Sequence, residues 1–182
     1  MKLAAAILGA AILAAAAVPA GLFSKDNLIA WCIVPFDAKH RGPAERAQML
    51  RKLGFKHFAY DWREKDIPSF DEELNALRKN RISLSAFWLS YPLSAQTNHW
   101  PAVRDFLQRR RVKTQIWLSL AVPKSFEALP HAEKLRLATE AVSTVARDAA
   151  AIGCSVGLYN HGGWFGEPEN QQIGRASCRE RV

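Results

Sequence analysis

The chain has 182 residues, a formal net charge of +8 and three cysteines. Leaving aside two unusual ends described below, the stretch between them carries +5, scattered over helices. That spread argues against a nucleic-acid surface, since the one basic run, Arg109-Arg110-Arg111, has no aromatics interleaved with it. No cysteine spacing of the metal-binding kind is present.

Residues 1–20 read as a secretory signal. Lys2 supplies the positive start, Leu3 to Ala17 is an apolar run, and Val18-Pro19-Ala20 offers a small-residue cleavage site. The run is shorter than the roughly 20 residues of a spanning helix. An uncleaved anchor is the rival reading. No cysteine follows the site directly, so a lipid anchor is not indicated. The expectation is export from a bacterium to the periplasm or the medium, with no membrane contact beyond the signal.

From residue 27 apolar runs alternate with helical spacing. Leu28–Phe36 reads as a buried strand. Pro43–Leu53 places Ala47, Leu50 and Leu53 on one face, with proline at the first turn and Gly54 as the stop. Phe55–Tyr60 is the next strand. Ser69 is positioned to cap a helix whose apolar face is Phe70, Leu74 and Leu77, with Asn80 ending it. Ile82–Leu89 follows as a strand, then a helix from Asn98 or Pro101 through Val103, Phe106 and Leu107. Val112–Leu120 is the fourth strand. Pro130–Ile152 is a long helix ended by Gly153, and Cys154–Tyr159 is the fifth strand.

Repeated strand–helix units predict a parallel sheet with right-handed crossovers. An open doubly wound sheet and a (β/α)8 barrel both satisfy this pattern. No glycine-rich dinucleotide turn follows the first strand, and polar or aromatic residues finish nearly every strand, which favours the barrel. A full barrel takes about 250 residues. The expected fold is therefore an α/β, incomplete (β/α)8 TIM barrel with about five βα units, over residues 21–172. Cys32 and Cys154 would lie on strands too far apart to bridge, and are expected as packed thiols.

The strongest site signal is Gly157-Leu-Tyr-Asn-His-Gly-Gly-Trp-Phe-Gly-Glu-Pro-Glu-Asn170, a strand running into polar groups at its C-terminal end. His161 is the leading catalytic residue, as proton carrier or metal ligand. Its plainer role is a hydrogen bond to a neighbouring loop. Asn160 is positioned to orient a substrate hydroxyl or to cap the strand. Glu167 is a candidate base or ligand, against the plainer role of a solvated loop carboxylate. Asp61 closes the second strand beside Trp62 and Arg63. It suits proton transfer, or a simple ion pair with Arg63 or Lys39. Trp88, nearest a strand end, is a candidate sugar-stacking surface, and Trp164 with Phe165 a substrate-binding lid or else a helix-facing plug; Trp31 and Trp117 read as core. His57 and His131 read as structural.

Residues 173–182 are expected to be non-native. Their codons can be written as a common short-read sequencing adapter, which would make the tail synthetic and the gene longer.

Four stretches carry a family resemblance: Asn27-Leu-Ile-Ala-Trp-Cys-Ile-Val-Pro-Phe-Asp-Ala-Lys39, Arg41-Gly-Pro-Ala-Glu-Arg46, Leu53-Gly-Phe-Lys-His-Phe-Ala-Tyr-Asp-Trp-Arg63, and Leu158 through Asn170. Together they resemble the xylose isomerase-like TIM-barrel proteins, often called sugar phosphate isomerases/epimerases. The resemblance implies an exported sugar isomerase or epimerase that moves a proton next to a carbonyl, with a sugar or polyol as partner. It also implies a divalent metal (Mn, Mg, Co or Zn), His161 being the ligand candidate. Many members carry a glutamate ligand at a middle strand end; here Asn160-His161 stands instead. A non-catalytic carbohydrate-binding barrel is the alternative. A hydrolase or nuclease on the same barrel is weaker still, given export and modest charge.

Overall fold

The computed structural model describes residues 21, 24–94 and 97–172. The expected signal, residues 1–20, and the expected adapter tail, residues 173–182, lie outside the described residues.

Five strands, β1 (Ile29–Ala30), β2 (His57–Tyr60), β3 (Ser83–Pro92), β4 (Gln115–Ala121) and β5 (Ser155–Leu158), form one sheet in sequential order. Every neighbouring pair is parallel. Between them lie α1 (Pro43–Leu53), α2 (Phe70–Lys79), α3 (Trp100–Arg109) and α4 (His131–Ala151), and the short α5 (Gly163–Gly166) follows β5. The order never reverses, as it would in a doubly wound sheet. Successive right-handed crossovers in one direction place all the long helices on one face. Their contacts follow that order. Arg46 of α1 pairs with Glu73 of α2 at 2.8 Å, Arg109 of α3 reaches Asp71 of α2 at 2.7 Å, and the Trp100 indole of α3 donates to Asp148 of α4 at 3.1 Å.

The helix-covered face holds the main core. Leu50, Phe58, Leu77, Phe87, Leu107, Ile116, Leu118 and Val145 are buried there. A register shift between Phe58 and Ala59 against β3 lets Leu84 and Phe87, three positions apart, both face the helices.

The opposite face is concave. Trp31, just past β1, has its ring 5.8 Å from Trp117 of β4 and 5.2 Å from Tyr159, just past β5. In a flat sheet, at about 4.8 Å per strand, β1 and β4 would lie about 14 Å apart, with their side chains parallel rather than convergent. The ring contacts require the sheet to curl.

Element boundaries differ from the sequence reading in instructive places. The run 28–36 pairs only over Ile29–Ala30. Cys32 then takes a left-handed φ of 57° and the chain turns, with the Phe36 and Asp37 amides donating to the Ile33 carbonyl. Apolarity marked neither burial nor pairing here: of the run only Ala30 is buried, Pro35 has no N–H for a ladder, and the Val34 amide is spent on Asp61. Ser69 does not cap α2. A 3-10 turn, Glu64–Ser69, leads straight into that helix, and the Ser69 hydroxyl donates to the Asp66 carbonyl at 2.9 Å. Gly54 ends α1 as expected, with φ 81°. After α2 and α3 the left-handed position falls on Arg81 and Arg111, at φ 58° and 51°. Among the described residues no helix is long and apolar enough to cross a membrane.

Candidate functional site

At the C-terminal ends of β3, β4 and β5 the concave face opens into a cleft of about 260 Å³. Its wall includes Trp88, Ser90, Ser119, Tyr159, His161 and Phe165. Strand parity explains this membership. Trp88 pairs with Trp117, and Trp117 with Gly157; two residues on, Ser90 pairs with Ser119. These pairs form successive layers across one face. Gly157 leaves the β5 position opposite Trp117 without a side chain, and the Trp117 and Tyr159 rings lie 6.2 Å apart and nearly parallel, at 6°. The Tyr159 ring in turn lies 5.5 Å from His161. The cleft thus joins aromatic surfaces to two hydroxyls and an imidazole, a lining that suits a polyhydroxylated ligand with apolar ring faces.

Asp61 ends β2. One step past the last β2–β3 pair, Tyr60 with Phe87, parity sets Asp61 and Trp88 side by side on the concave face. Asp61 is only 2% exposed. One carboxylate oxygen accepts the Val34 amide at 3.3 Å, and the other, Oδ2, has no hydrogen-bond partner in the protein. Burial is the main cause that pushes its pKa up to about 6, against lowering by the Val34 amide and by the Arg63 charge. The expected ion pair with Arg63 or Lys39 is absent among the described residues. The Arg63 guanidinium instead donates through Nη1 to the Asp61 and Trp62 carbonyls, at 2.7 and 2.8 Å. Asp61 lies under the turn after β1, beneath Val34, rather than in the wall of the cleft.

The neighbourhood of Asp61 is coupled. Burial and the Asp61 carboxylate raise the Cys32 thiol pKa, while burial and Cys32 raise that of the Tyr159 phenol. Cys32 and Cys154 are both unbridged. Cys154 is buried and its thiol meets the Val112 carbonyl, whereas Cys32 sits half-buried at the rim rather than inside a strand.

Of the residues proposed from sequence, Trp88 and His161 share the cleft. Asn160 Oδ1 accepts the Gly162 amide at 3.2 Å, so the side chain braces its own turn. It also lies 2.6 Å from where a Cβ on Gly166 would stand, which ties glycine to that position. Glu167 is exposed and outside the cleft wall. Trp164 packs away from the cleft, 5.5 Å from Phe126 and 5.7 Å from His131, and its neighbour Phe165 takes the inward position. His57 bonds Ser85 at 2.9 Å lower on the concave face. Sequence reasoning left out Tyr159, Ser90, Ser119 and Cys32, and placed Trp31 in the core. Alternation along each strand carried that information once the concave face was known.

No group of three or more histidine, cysteine, aspartate or glutamate side chains among the described residues is placed to hold a metal ion. The described residues do not by themselves assemble a metal centre. No family model, curated protein or solved structure matches the chain. The family resemblance rests on the four sequence stretches alone.

Proposed function

We propose that this chain is the first five-eighths of an exported (β/α)8 barrel that acts as a sugar isomerase or epimerase, by proton transfer next to a carbonyl. The sequential parallel order and the curl of the sheet support the barrel. Its missing strands would continue from the open edge at β5. The observation that carries the reading is the cleft whose wall joins His161 to Trp88 and Tyr159; Asp61, buried outside that wall beneath Val34, with one unpartnered oxygen and a pKa of about 6, is the proposed base beside it. A base with that pKa is mostly ionised at neutral pH, yet holds a proton strongly enough to take one from carbon. His161, at the wall of the cleft, is the second proton carrier. Trp88 and Tyr159 offer faces to a sugar ring. A divalent ion bound through His161 would draw its other ligands from beyond the described residues.

The alternative is a barrel that binds carbohydrate without turning it over. The Asn160-His161 strand end, where the resembling family often has a carboxylate, favours it. One experiment separates the two. The product of the intact gene is incubated with a panel of sugars in deuterated water, and exchange at the carbon next to the carbonyl is followed by NMR. The enzyme reading expects exchange, a fall of about 10²- to 10⁴-fold in Asp61→Asn, and a fall in His161→Ala. Binding without exchange supports the alternative. Full exchange in both variants would remove these residues from the mechanism.

A further inference from the structure

Charge that looks scattered along the sequence is collected by the fold at one end of the sheet. The segments 51–56, 78–83 and 109–115 lead from α1, α2 and α3 into β2, β3 and β4, so all three lie at the strands' N-terminal end. They hold three, three and four lysines or arginines and no carboxylate. The loops at the opposite end mix both signs, with Asp37, Glu64 and Glu127 beside Lys39, Lys65 and Lys124. Contacts join the basic segments into one surface. The Ser83 amide donates to the Lys56 carbonyl at 2.8 Å, and Arg78 donates to the Arg110 carbonyl at 3.2 Å. Arg78, Arg111 and Lys113 share a depression of about 290 Å³. Asp26 and Asp71 are taken by Lys56 and by Arg109 and Arg110. Arg51, Lys52, Lys79, Arg81, Arg111 and Lys113 are exposed, and among the described residues no carboxylate pairs with them.

Helix ends alone do not call for this charge. Cations in a last turn suit the negative end of a helix, but Lys56, Arg81, Arg111 and Lys113 lie beyond the helices. Helix α4 has no basic residue in its last turn, and residues 151–155 carry no charge. The same turn nevertheless forms at all four junctions. The amides of Phe55, Ile82, Val112 and Cys154 each donate to the carbonyl five residues back. The residue before each of these amides is left-handed. It is glycine at 54 and 153, but arginine at 81 and 111, with φ 58° and 51°. Glycine takes that conformation without strain, and a long side chain does not. The fold therefore holds two strained arginines, both exposed on the same face.

We propose that this cationic end docks on an anionic lipid bilayer. Two observations favour a bilayer over an acidic protein or a nucleic acid. The first is where the apolar run Leu3–Ala17 joins the domain. Gly21 lies at this end, its carbonyl accepting the Ser24 amide at 2.7 Å, and Lys25 Nζ donates to the Leu53 carbonyl at 3.3 Å. Ala17 is four positions before Gly21, a reach of about 14 Å at most. A run held in a membrane would keep the cations close to the distance of about 10 Å over which surface charge acts. The second is the corner beside Lys25, where Leu28, Ile29 and Leu53 are 38%, 41% and 51% exposed. Apolar side chains among cations suit the boundary between headgroups and acyl chains. Membrane contact is thereby extended from residues 1–20 to the folded domain. The cleft, at the strands' other end, then opens away from the bilayer. The proposal is independent of the sugar reading.

Co-sedimentation of the intact gene product with vesicles tests this. One set is phosphatidylcholine alone, and the other is an equimolar mixture with phosphatidylglycerol. The anionic vesicles should bind the protein more tightly, and added salt should abolish the difference. The apolar run contributes to both sets alike. Arg81→Gly with Arg111→Gly removes two cations and relieves the backbone, so the variant should melt no lower than the wild type. Its affinity for the anionic vesicles should fall about tenfold or more. Lys52→Gln with Lys113→Gln, at ordinary backbone positions, should lose as much. Lys65→Gln with Lys124→Gln removes the same charge at the other end and should change affinity by less than about twofold. Equal binding to both vesicle types, undiminished binding in the first two pairs, or the same loss in the third overturns the proposal. Displacement from the anionic vesicles by polyglutamate or duplex DNA at matched charge would give the face a different partner, and overturns it too.

Discussion

Burial governs Asp61. An unfolded aspartate titrates near pH 4, whereas the folded one titrates at about 6. The folded state therefore holds the proton more tightly. The stability this group contributes is fully present below about pH 4 and is lost as pH rises through about 6. Asp61→Asn should flatten that slope, and thermal melts from pH 4 to 8 measure it. The variant should gain up to about 3 kcal/mol on the wild type at neutral pH, by the size of the shift. A parallel fall in both proteins would show that Asp61 is not the group responsible. The identity of this residue was legible in the sequence, because a carboxylate closing a strand stands out. Its isolation was not. The sequence offered Arg63 as an ion-pair partner, and only the fold shows that guanidinium turned to backbone carbonyls over Trp88.

Helices α1 and α2 meet across a buried charge pair. Arg46 donates to both oxygens of Glu73, at 3.1 and 2.8 Å, with Glu73 1% exposed. Removing one partner strands the other in the core, so Glu73→Ala should cost about 3–5 kcal/mol in urea denaturation. Replacing both partners with leucine should cost much less; an equal loss in single and double variants would contradict this account. At the end of α1, Gly54 has φ 81° and its amide closes onto Arg51. Gly54→Ala should cost about 1 kcal/mol, while Gly42→Ala, at an ordinary φ of −71°, should cost clearly less. Periodicity revealed every long helix, since α1 spans the expected residues and α4 differs by one at each end. It did not reveal β1 as a two-residue strand, because an apolar run does not say which of its residues pair, and in this one only Ala30 is buried. Nor did it separate Trp164 from Phe165. Which of two adjacent aromatics turns inward depends on a short helix, Gly163–Gly166, that no apolar repeat announces.

Across the whole molecule, curl and order set where chemistry can occur. Trp31 crosses the concave face to Trp117 and Tyr159, and the strands' C-terminal ends bring Trp88 and His161 to one cleft, with Asp61 buried outside its wall beneath Val34. The edges stay open: Leu28 and Ile29 at β1 are exposed, and Val156 and Leu158 of β5 are half-exposed. If further strands normally cover them, amide exchange in the 182-residue chain should be fast in β1 and β5 and slow in β3 and β4. In the intact product all five strands should be slow. Equal protection of all five in the short chain would count against the barrel.

The siting of the ligand is the claim on which the account turns, and the six tryptophans report on it directly. Indole N–H resonances of the intact protein can be followed by NMR during a sugar titration. Trp88 should shift most, as it lines the cleft. Trp100 and Trp164, bonded to Asp148 and His131 away from the cleft, should stay still. Movement of Trp100 or Trp164 with Trp88 unmoved would contradict the assignment of this rim as the binding site.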